Sequence, residues 1–256
     1  MGSPQVGGIA GAVRGATRAA VEFLLPIACP SCDRLLDPGE PGIVCGRCWT
    51  RLALLPHPQC ARCGHPGLRA PCEWCPLLPP YVRAVRSVCW THRGTGSGIV
   101  HAVKYGRWHA AAAGMAERMA RLGWPVDVLE ERGAVMPVPL ARSRERERGF
   151  NQSERIATAL AARWRLPMWP DVLERARATE TQTRLTPAER LANVSGAFRV
   201  GAVPPTALRN AHVVLVDDVV TTAATLNACA AALIAGGARI VSYVTFGRAP
   251  AAGDRY

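Results

Sequence analysis

The stretch Val213-Val214-Leu215-Val216-Asp217-Asp218-Val219-Val220-Thr221-Thr222-Ala223-Ala224-Thr225 decides how this chain folds. Its opening apolar run reads as a strand buried on both faces, the kind a parallel sheet contains. Two adjacent carboxylates follow at the carboxyl end of that strand, where open α/β sheets bind their ligands. Residues 221–225 then supply hydroxyls and free backbone N–H groups where a helix begins, a natural seat for a phosphate. Carboxylates suit a polyol and the turn suits a phosphate. A ribose 5-phosphate has both.

Working outward, strands alternate with helices. Residues 84–90, 134–139 and 240–246 read as strands. Residues 110–122, 153–165 and 225–235 read as helices, the second with Ile156, Leu160 and Trp164 spaced by four. Residues 94–98 read as a turn, 99–104 as the start of a helix, and 175–200 as a polar loop with some helix around 187–193. The alternation predicts an α/β domain with a mainly parallel sheet and flanking helices.

Ahead of this lies a different kind of sequence. Four CxxC pairs occur between residues 29 and 75: Cys29/Cys32, Cys45/Cys48, Cys60/Cys63 and Cys72/Cys75. One CxxC turn brings two thiolates to an ion, and two turns complete a closed tetrahedral four-thiolate zinc site with a structural role. Gly46 and Gly64 suit the tight turns. A disulfide framework would need an oxidising compartment, and no export signal supports one. Sequential pairing predicts two Zn2+ sites, one at Cys29, Cys32, Cys45 and Cys48, the other at Cys60, Cys63, Cys72 and Cys75. Interleaved pairing stays open. So short a segment cannot bury a sufficient core, and metal binding would supply the missing folding energy. Cys89 and Cys229 stand in apolar surroundings and read as core. The prolines at 76, 79 and 80 mark a linker, giving an expected organisation of an N-terminal helix over 1–25, a cysteine-rich domain over 26–80 and the α/β domain over 81–250.

The formal charge is +12. Residues 1–80 carry seven Arg against five acids; residues 81–256 carry twenty-three Arg and one Lys against fourteen acids. The basic surplus therefore sits with the ligand domain. If the cysteine-rich head were the main nucleic-acid contact, it would be expected to carry more of the excess. Lys104 is the sole lysine among thirty-one basic side chains; two readings stand side by side, a place where a compact ammonium is wanted instead of a planar fork, and one lysine left by chance in an Arg-biased composition. Arg14, Arg18 and Glu22 interrupt the apolar positions of 9–25, leaving no uncharged core for a secretory signal. The uncharged residues 219–238 contain Thr, Asn and Gly and make a poor membrane span. The expectation is a cytoplasmic protein with no membrane association; an oligomer is left open.

Arg142, Arg144, Arg146 and Arg148 follow the strand that ends at Pro139 and lead into Gly149-Phe150-Asn151-Gln152. As a charged loop this would be plain solvated surface. As a loop leaving the carboxyl end of a sheet strand, like Asp217, it is a pyrophosphate clamp, since guanidinium forks match phosphate oxygens.

These segments also carry resemblances. Residues 213–225 resemble the phosphoribosyl diphosphate (PRPP) binding motif of type I phosphoribosyltransferases, with Ala223 standing where that family most often has glycine. The run 137–140, the Arg148–Gln152 segment, His101 to Gly106, and Thr179 to Leu185 with Glu189, Arg190 and 193–198 resemble the ComF family, as does their order behind a CxxC-rich head. That resemblance implies a phosphoribosyltransferase-like fold with an N-terminal zinc ribbon. It implies a PRPP site of Asp217 and Asp218 as catalytic acids with Val219, Val220, Thr221, Thr222, Ala223, Ala224, Thr225, Lys104, Arg142, Arg148, Gln152, Gln182 and Arg190, and Mg2+ bound with the PRPP. Gln182, Arg184 and Arg190 fall in a segment similar to the hood that closes over such sites. The family's link to DNA uptake implies single-stranded DNA or a DNA-uptake helicase as partners. Three classes follow: a PRPP-dependent transferase, a nucleic-acid-binding competence factor, and a non-catalytic PRPP or nucleotide sensor.

Overall fold

A computed structural model describes residues 27–37, 39–40, 42–67, 71–92, 94–105, 110–177, 194, 196–201 and 205–250. In chain order the elements are α1 (Gly46–Thr50), β1 (Val82–Trp90), α2 (Gly94–Tyr105), α3 (Ala111–Ala120), α4 (Val126–Glu131), β2 (Arg132–Pro137), α5 (Arg142–Arg148), α6 (Gln152–Trp164), β3 (Leu173–Arg175), β4 (Phe198–Val200), α7 (Pro205–Leu208), β5 (His212–Val220), α8 (Ala224–Ala235) and β6 (Ile240–Arg248). The segments 1–26 and 178–193, with the expected N-terminal helix, Gln182, Arg184 and Arg190, lie outside the described residues.

Four parallel strands form one sheet in the order β1-β6-β5-β2. The quoted stretch is its centre. Val214 and Val216 pack on one face with Ile99, Met115, Met119, Ile156 and Leu160. Val213 and Leu215 pack on the other with Leu226, Leu233 and Tyr243. Period-two alternation thus buries the strand twice, which explains its lack of polar residues. β5 does not stop before the acids. It continues to Val220 because β6 pairs with it that far, Asp217 against Thr245, Val219 against Gly247 and Val220 against Arg248. Gly247 permits this: a Cβ there would stand 2.2 Å from Thr91 Cγ2 and 3.2 Å from Val219 Cγ2.

Three sequence expectations change. Residues 94–98 are the first turn of α2, not a turn before it; Gly96 is needed because a Cβ would come 2.8 Å from the Trp90 carbonyl. Arg142 to Arg148 form a helix, closed by Gly149 in the left-handed conformation (φ 80) that glycine adopts without strain. Arg175, expected in the loop, ends β3, which pairs antiparallel with β4. The helices expected at 110–122, 153–165 and 225–235 stand as α3, α6 and α8 within a residue or two at each end.

The cysteine-rich segment wraps the sheet edge. Cys29, Val44, Cys45, Cys48 and Leu52 join the core on the α3/α6 face. Cys63, Trp74 and Leu78 join the core on the α8 face. Between them the chain crosses β1, whose outer backbone is bonded by Leu55 N–H to Val88 O (3.1 Å), Trp90 N–H to Ala53 O (2.8 Å) and Val85 N–H to Arg62 O (2.8 Å). An open strand edge is thereby covered. Within residues 76–80, which read as a linker, Leu78 is docked at 5% exposed while Pro76, Leu77 and Pro80 are exposed. Cys89 and Cys229 are buried core residues as expected.

Candidate functional site

The two cysteine clusters are assembled by sequential pairing. Within Cys29, Cys32, Cys45 and Cys48, and within Cys60, Cys63, Cys72 and Cys75, all sulfurs lie within 4.8 Å of one another. Measured pairs are Cys32–Cys45 at 3.8 Å, Cys60–Cys75 at 3.5 Å and Cys63–Cys72 at 3.4 Å. Four sulfurs about 2.3 Å from a central ion are separated by distances of this order. Backbone amides support the first cluster, Cys45 N–H and Cys48 N–H each pointing at a sulfur 3.4 Å away. The donor set therefore fits two structural zinc ions. Gly64 makes the tight turn expected of it at φ 65, pressed so closely on β1 that a Cβ would stand 2.3 Å from Val85 O. Gly46 instead opens α1.

Three guanidiniums surround the second cluster. Arg62 donates to Val82 O, Leu78 O and Pro79 O. Arg86, 8% exposed, donates to Ala61 O (2.9 Å), Val85 O (2.8 Å) and Gly123 O (2.7 Å). Arg248, fully buried, donates to Cys63 O and stacks on Trp74. Burial works against the Arg86 charge, while the thiols of Cys60 and Cys63, when ionised, favour it. A four-thiolate zinc centre carries two net negative charges, so it suits this cationic nest.

The second feature is a cavity of about 400 Å3 at the carboxyl end of the sheet. β5 brings Asp217 and Asp218 to it, α2 brings Lys104 and Tyr105, α5 brings Arg144 and Arg148, α6 brings Gln152 and Ser153, β3 brings Arg175, and the turn into α8 brings Thr221, Ala223, Ala224 and Thr225. Asp218 is 4% exposed and its Oδ2 lies 2.7 Å from Lys104 Nζ. Burial disfavours the Lys104 ammonium, but the neighbouring carboxylates outweigh it and its pKa stands above the ordinary lysine value. Asp217 Oδ1 accepts from Ser153 Oγ (2.7 Å) and from Asp218 N–H (2.9 Å). Burial first, then the charge of Asp218, pushes the Asp217 carboxyl up to about 7.

The turn leads into a helix N-terminus, a setting that suits an anion. Ala223 sits in the left-handed region (φ 60, ψ 7) as the residue before α8 and caps no amide of it with a side chain. The first N–H groups of α8 therefore face the cavity with the positive end of the helix behind them. Among the described residues, buried Thr222 Oγ1 has no hydrogen-bond partner. The left-handed backbone also explains why glycine is the usual residue at such a position.

The remaining expected residues divide. Val219 and Val220 line the cavity, as do Lys104, Arg148 and Gln152; Arg148 Nη1 donates to Gln152 Oε1 (3.0 Å) and its guanidinium lies over the Tyr105 ring. Arg142 instead lines a neighbouring groove with Arg146, and Thr222 is not part of the cavity wall. Asn151 serves α6 as its cap, accepting from Ser153 N–H, and donates to Val138 O. Ser153 and Arg175 reach the cavity without any signal in the sequence; both depend on long-range packing. Among the described residues no helix is long and apolar enough to cross a membrane.

Comparison with known proteins bears on the cysteine clusters and on the chain as a whole. The double zinc ribbon domain model matches residues 20–77. The DNA utilization protein YhgH of Escherichia coli (strain K12) is 32% identical over 228 residues, covering 85% of this chain and 95% of that protein. YhgH of Salmonella typhi is 35% identical over 192 residues, covering 72% and 80%. Competence protein F of Haemophilus influenzae is 36% identical over 94 residues, covering 37% and 41%.

Proposed function

This chain belongs to the ComF family, with YhgH and Competence protein F, and on that premise we propose that its cavity binds Mg-PRPP and that the protein transfers the phosphoribosyl group in the service of DNA utilization. One observation carries the reading: an acid pair, a buried ammonium and an uncapped helix N-terminus converge on a single cavity at the carboxyl end of a parallel sheet. The turn 221–225 takes the 5-phosphate. Asp217 and Asp218 accept the ribose hydroxyls. Arg144, Arg148 and Lys104 face the pyrophosphate, whose oxygens, with a carboxylate, are the hard ligands Mg2+ prefers.

In the reaction the bond from the anomeric carbon to the pyrophosphate oxygen breaks as a bond to the acceptor nucleophile forms. Pyrophosphate leaves with the electron pair. Positive charge builds on the ribose ring and negative charge on the leaving group, so prearranged cations that meet the leaving oxygens lower the barrier most. Lys104 is held to Asp218 at 2.7 Å, which sets the ammonium in place before the ligand arrives. The basic surplus of residues 81–256 suits a nucleic acid lying against the same domain.

The test is calorimetry with Mg-PRPP. The wild type is expected to bind and Asp217→Ala with Asp218→Ala to bind at least 100-fold more weakly, with two zinc ions retained. Equal affinity in the double variant refutes the site. Pyrophosphate release that depends on single-stranded DNA, accompanied by DNA heavier by one phosphoribosyl group and absent in the double variant, supports transfer; release without that product is hydrolysis.

A further inference from the structure

Asp217 holds an unusual position in the cavity: a partly exposed carboxyl beside Asp218, which is 4% exposed. Only one of its oxygens is committed. Oδ1 takes the Ser153 hydroxyl at 2.7 Å and the Asp218 amide at 2.9 Å, while among the described residues Oδ2 makes no hydrogen bond. Ser153 is 1% exposed. Its own N–H is tied to Asn151 Oδ1 at 3.1 Å, and Asn151 is in turn anchored to Val138 O at 3.1 Å. The hydroxyl thus hangs from the rigid first turn of α6, itself fixed at the carboxyl end of β2. A serine there has no need to serve as a cap, because Asn151 already does so.

We propose that Ser153 is a positioning residue for the cavity: its hydroxyl pins Asp217 Oδ1 and turns Oδ2 toward a ligand hydroxyl. The inference rests on the reading of the cavity as a ribose-phosphate site. A hydrogen bond to the charged form favours that form, and Ser153 is one of the groups that hold the Asp217 carboxyl down against burial and the Asp218 charge. The other charged or titratable groups that act on Asp217 or share its cavity are Lys104 on α2, Arg144 and Arg148 on α5, Arg175 on β3 and the Cys229 thiol on α8. None of them donates a hydrogen bond to Asp217 Oδ1. Removing Ser153 therefore leaves the field of those groups intact and deletes only the tether.

The experiment uses the full-length, zinc-loaded protein with Ser153→Ala and Ser153→Thr. Carbon-13 carboxyl NMR of the ligand-free protein follows the Asp217 titration, and calorimetry follows Mg-PRPP binding at pH 7 and pH 9. Ser153→Ala is expected to raise the Asp217 midpoint by about one pH unit, which is about a tenfold change in the equilibrium. With the midpoint moved from about 7 to about one unit higher, the ionised fraction at pH 7 falls about fivefold, so Mg-PRPP binding should weaken about fivefold at pH 7 and by less than threefold at pH 9. Ser153→Thr, which keeps the hydroxyl, should restore the midpoint. An unchanged midpoint in Ser153→Ala overturns the proposal, as does a loss of affinity that is the same at both pH values. A shifted midpoint in a protein that does not bind Mg-PRPP at either pH supports the tether and refutes the ligand reading.

Discussion

Asp217→Asn should make the protein more stable at pH 8 while removing its ligand. In the fold the Asp217 carboxyl titrates at about 7, whereas in the unfolded chain it returns to about 3.9. Between these values the folded chain holds a proton that the unfolded chain has lost. Stability therefore falls as pH rises from about 4 through about 7, and the full cost is borne above that. Three pH units at about 1.4 kcal/mol each set a ceiling of about 4 kcal/mol. Asp217 is partly exposed and Lys104 lies nearby, so screening reduces the expected figure to about 2 kcal/mol. Asparagine keeps a carbonyl oxygen for Ser153 Oγ–H and Asp218 N–H, and so deletes the charge without deleting those bonds. For a chain of this size about 2 kcal/mol corresponds to a rise in Tm of about 4–8 °C. Calorimetric melts of wild type and variant at pH 8 and pH 5, in phosphate-free buffer, read the effect. The advantage should shrink by more than half at pH 5. A variant that melts below the wild type at pH 8 refutes the reasoning, because Asp217 would then be a net stabilising carboxylate.

Other outcomes follow from the same geometry. Cys60→Ser with Cys63→Ser should leave Arg86 buried without its counter-charge; adding Arg86→Met should recover part of the loss, giving a coupling of about 1–3 kcal/mol in a denaturation cycle, and strictly additive losses would contradict a shared charge balance. Burial drives the pKa of His212 down to about 4, so it folds neutral and takes up a proton on unfolding; the stability it confers is present above about 6.5 and lost as pH falls towards 4. His212→Gln should flatten that acid limb, and an unchanged stability profile between pH 4 and 6.5 would count against it. Gly114→Ala places a Cβ 2.5 Å from the Trp49 ring and should cost about 1–3 kcal/mol by overpacking, with faster zinc release to a chromogenic chelator because Trp49 lies on α1 beside the first cluster. Lys104→Met should lower the melting temperature and abolish Mg-PRPP binding together, since Asp218 would remain buried without its cation; retention of both would remove Lys104 from the site.

Some of this was written in local chemistry. The double-faced burial of β5, the acid pair at its carboxyl end and the cysteine spacing depend on residues near one another in the chain, and period and spacing report such relations directly. Helical periodicity likewise revealed α3, α6 and α8. The Arg142–Arg148 segment shows where local reading stops. Taken as a loop, its four arginines are equivalent. Taken as the helix it is, residues four apart share a face, so Arg144 and Arg148 look into the cavity while Arg142 and Arg146 look into the neighbouring groove. The glycines of 94–98 mislead for a related reason: Gly96 is there for close packing on β1, not for a turn.

Residue types, their spacing and their order were enough to determine a parallel α/β sheet, two four-thiolate clusters and an acid pair followed by a turn into a helix, because each is encoded within a few residues. Tertiary structure alone decided that the two clusters sit on opposite faces of the sheet around β1. It also decided that Lys104 meets Asp218 and that Ser153 meets Asp217. Those partners are 114 and 64 residues apart in sequence, and only the packing of α2 and α6 against the carboxyl end of the sheet brings them within 2.7 Å.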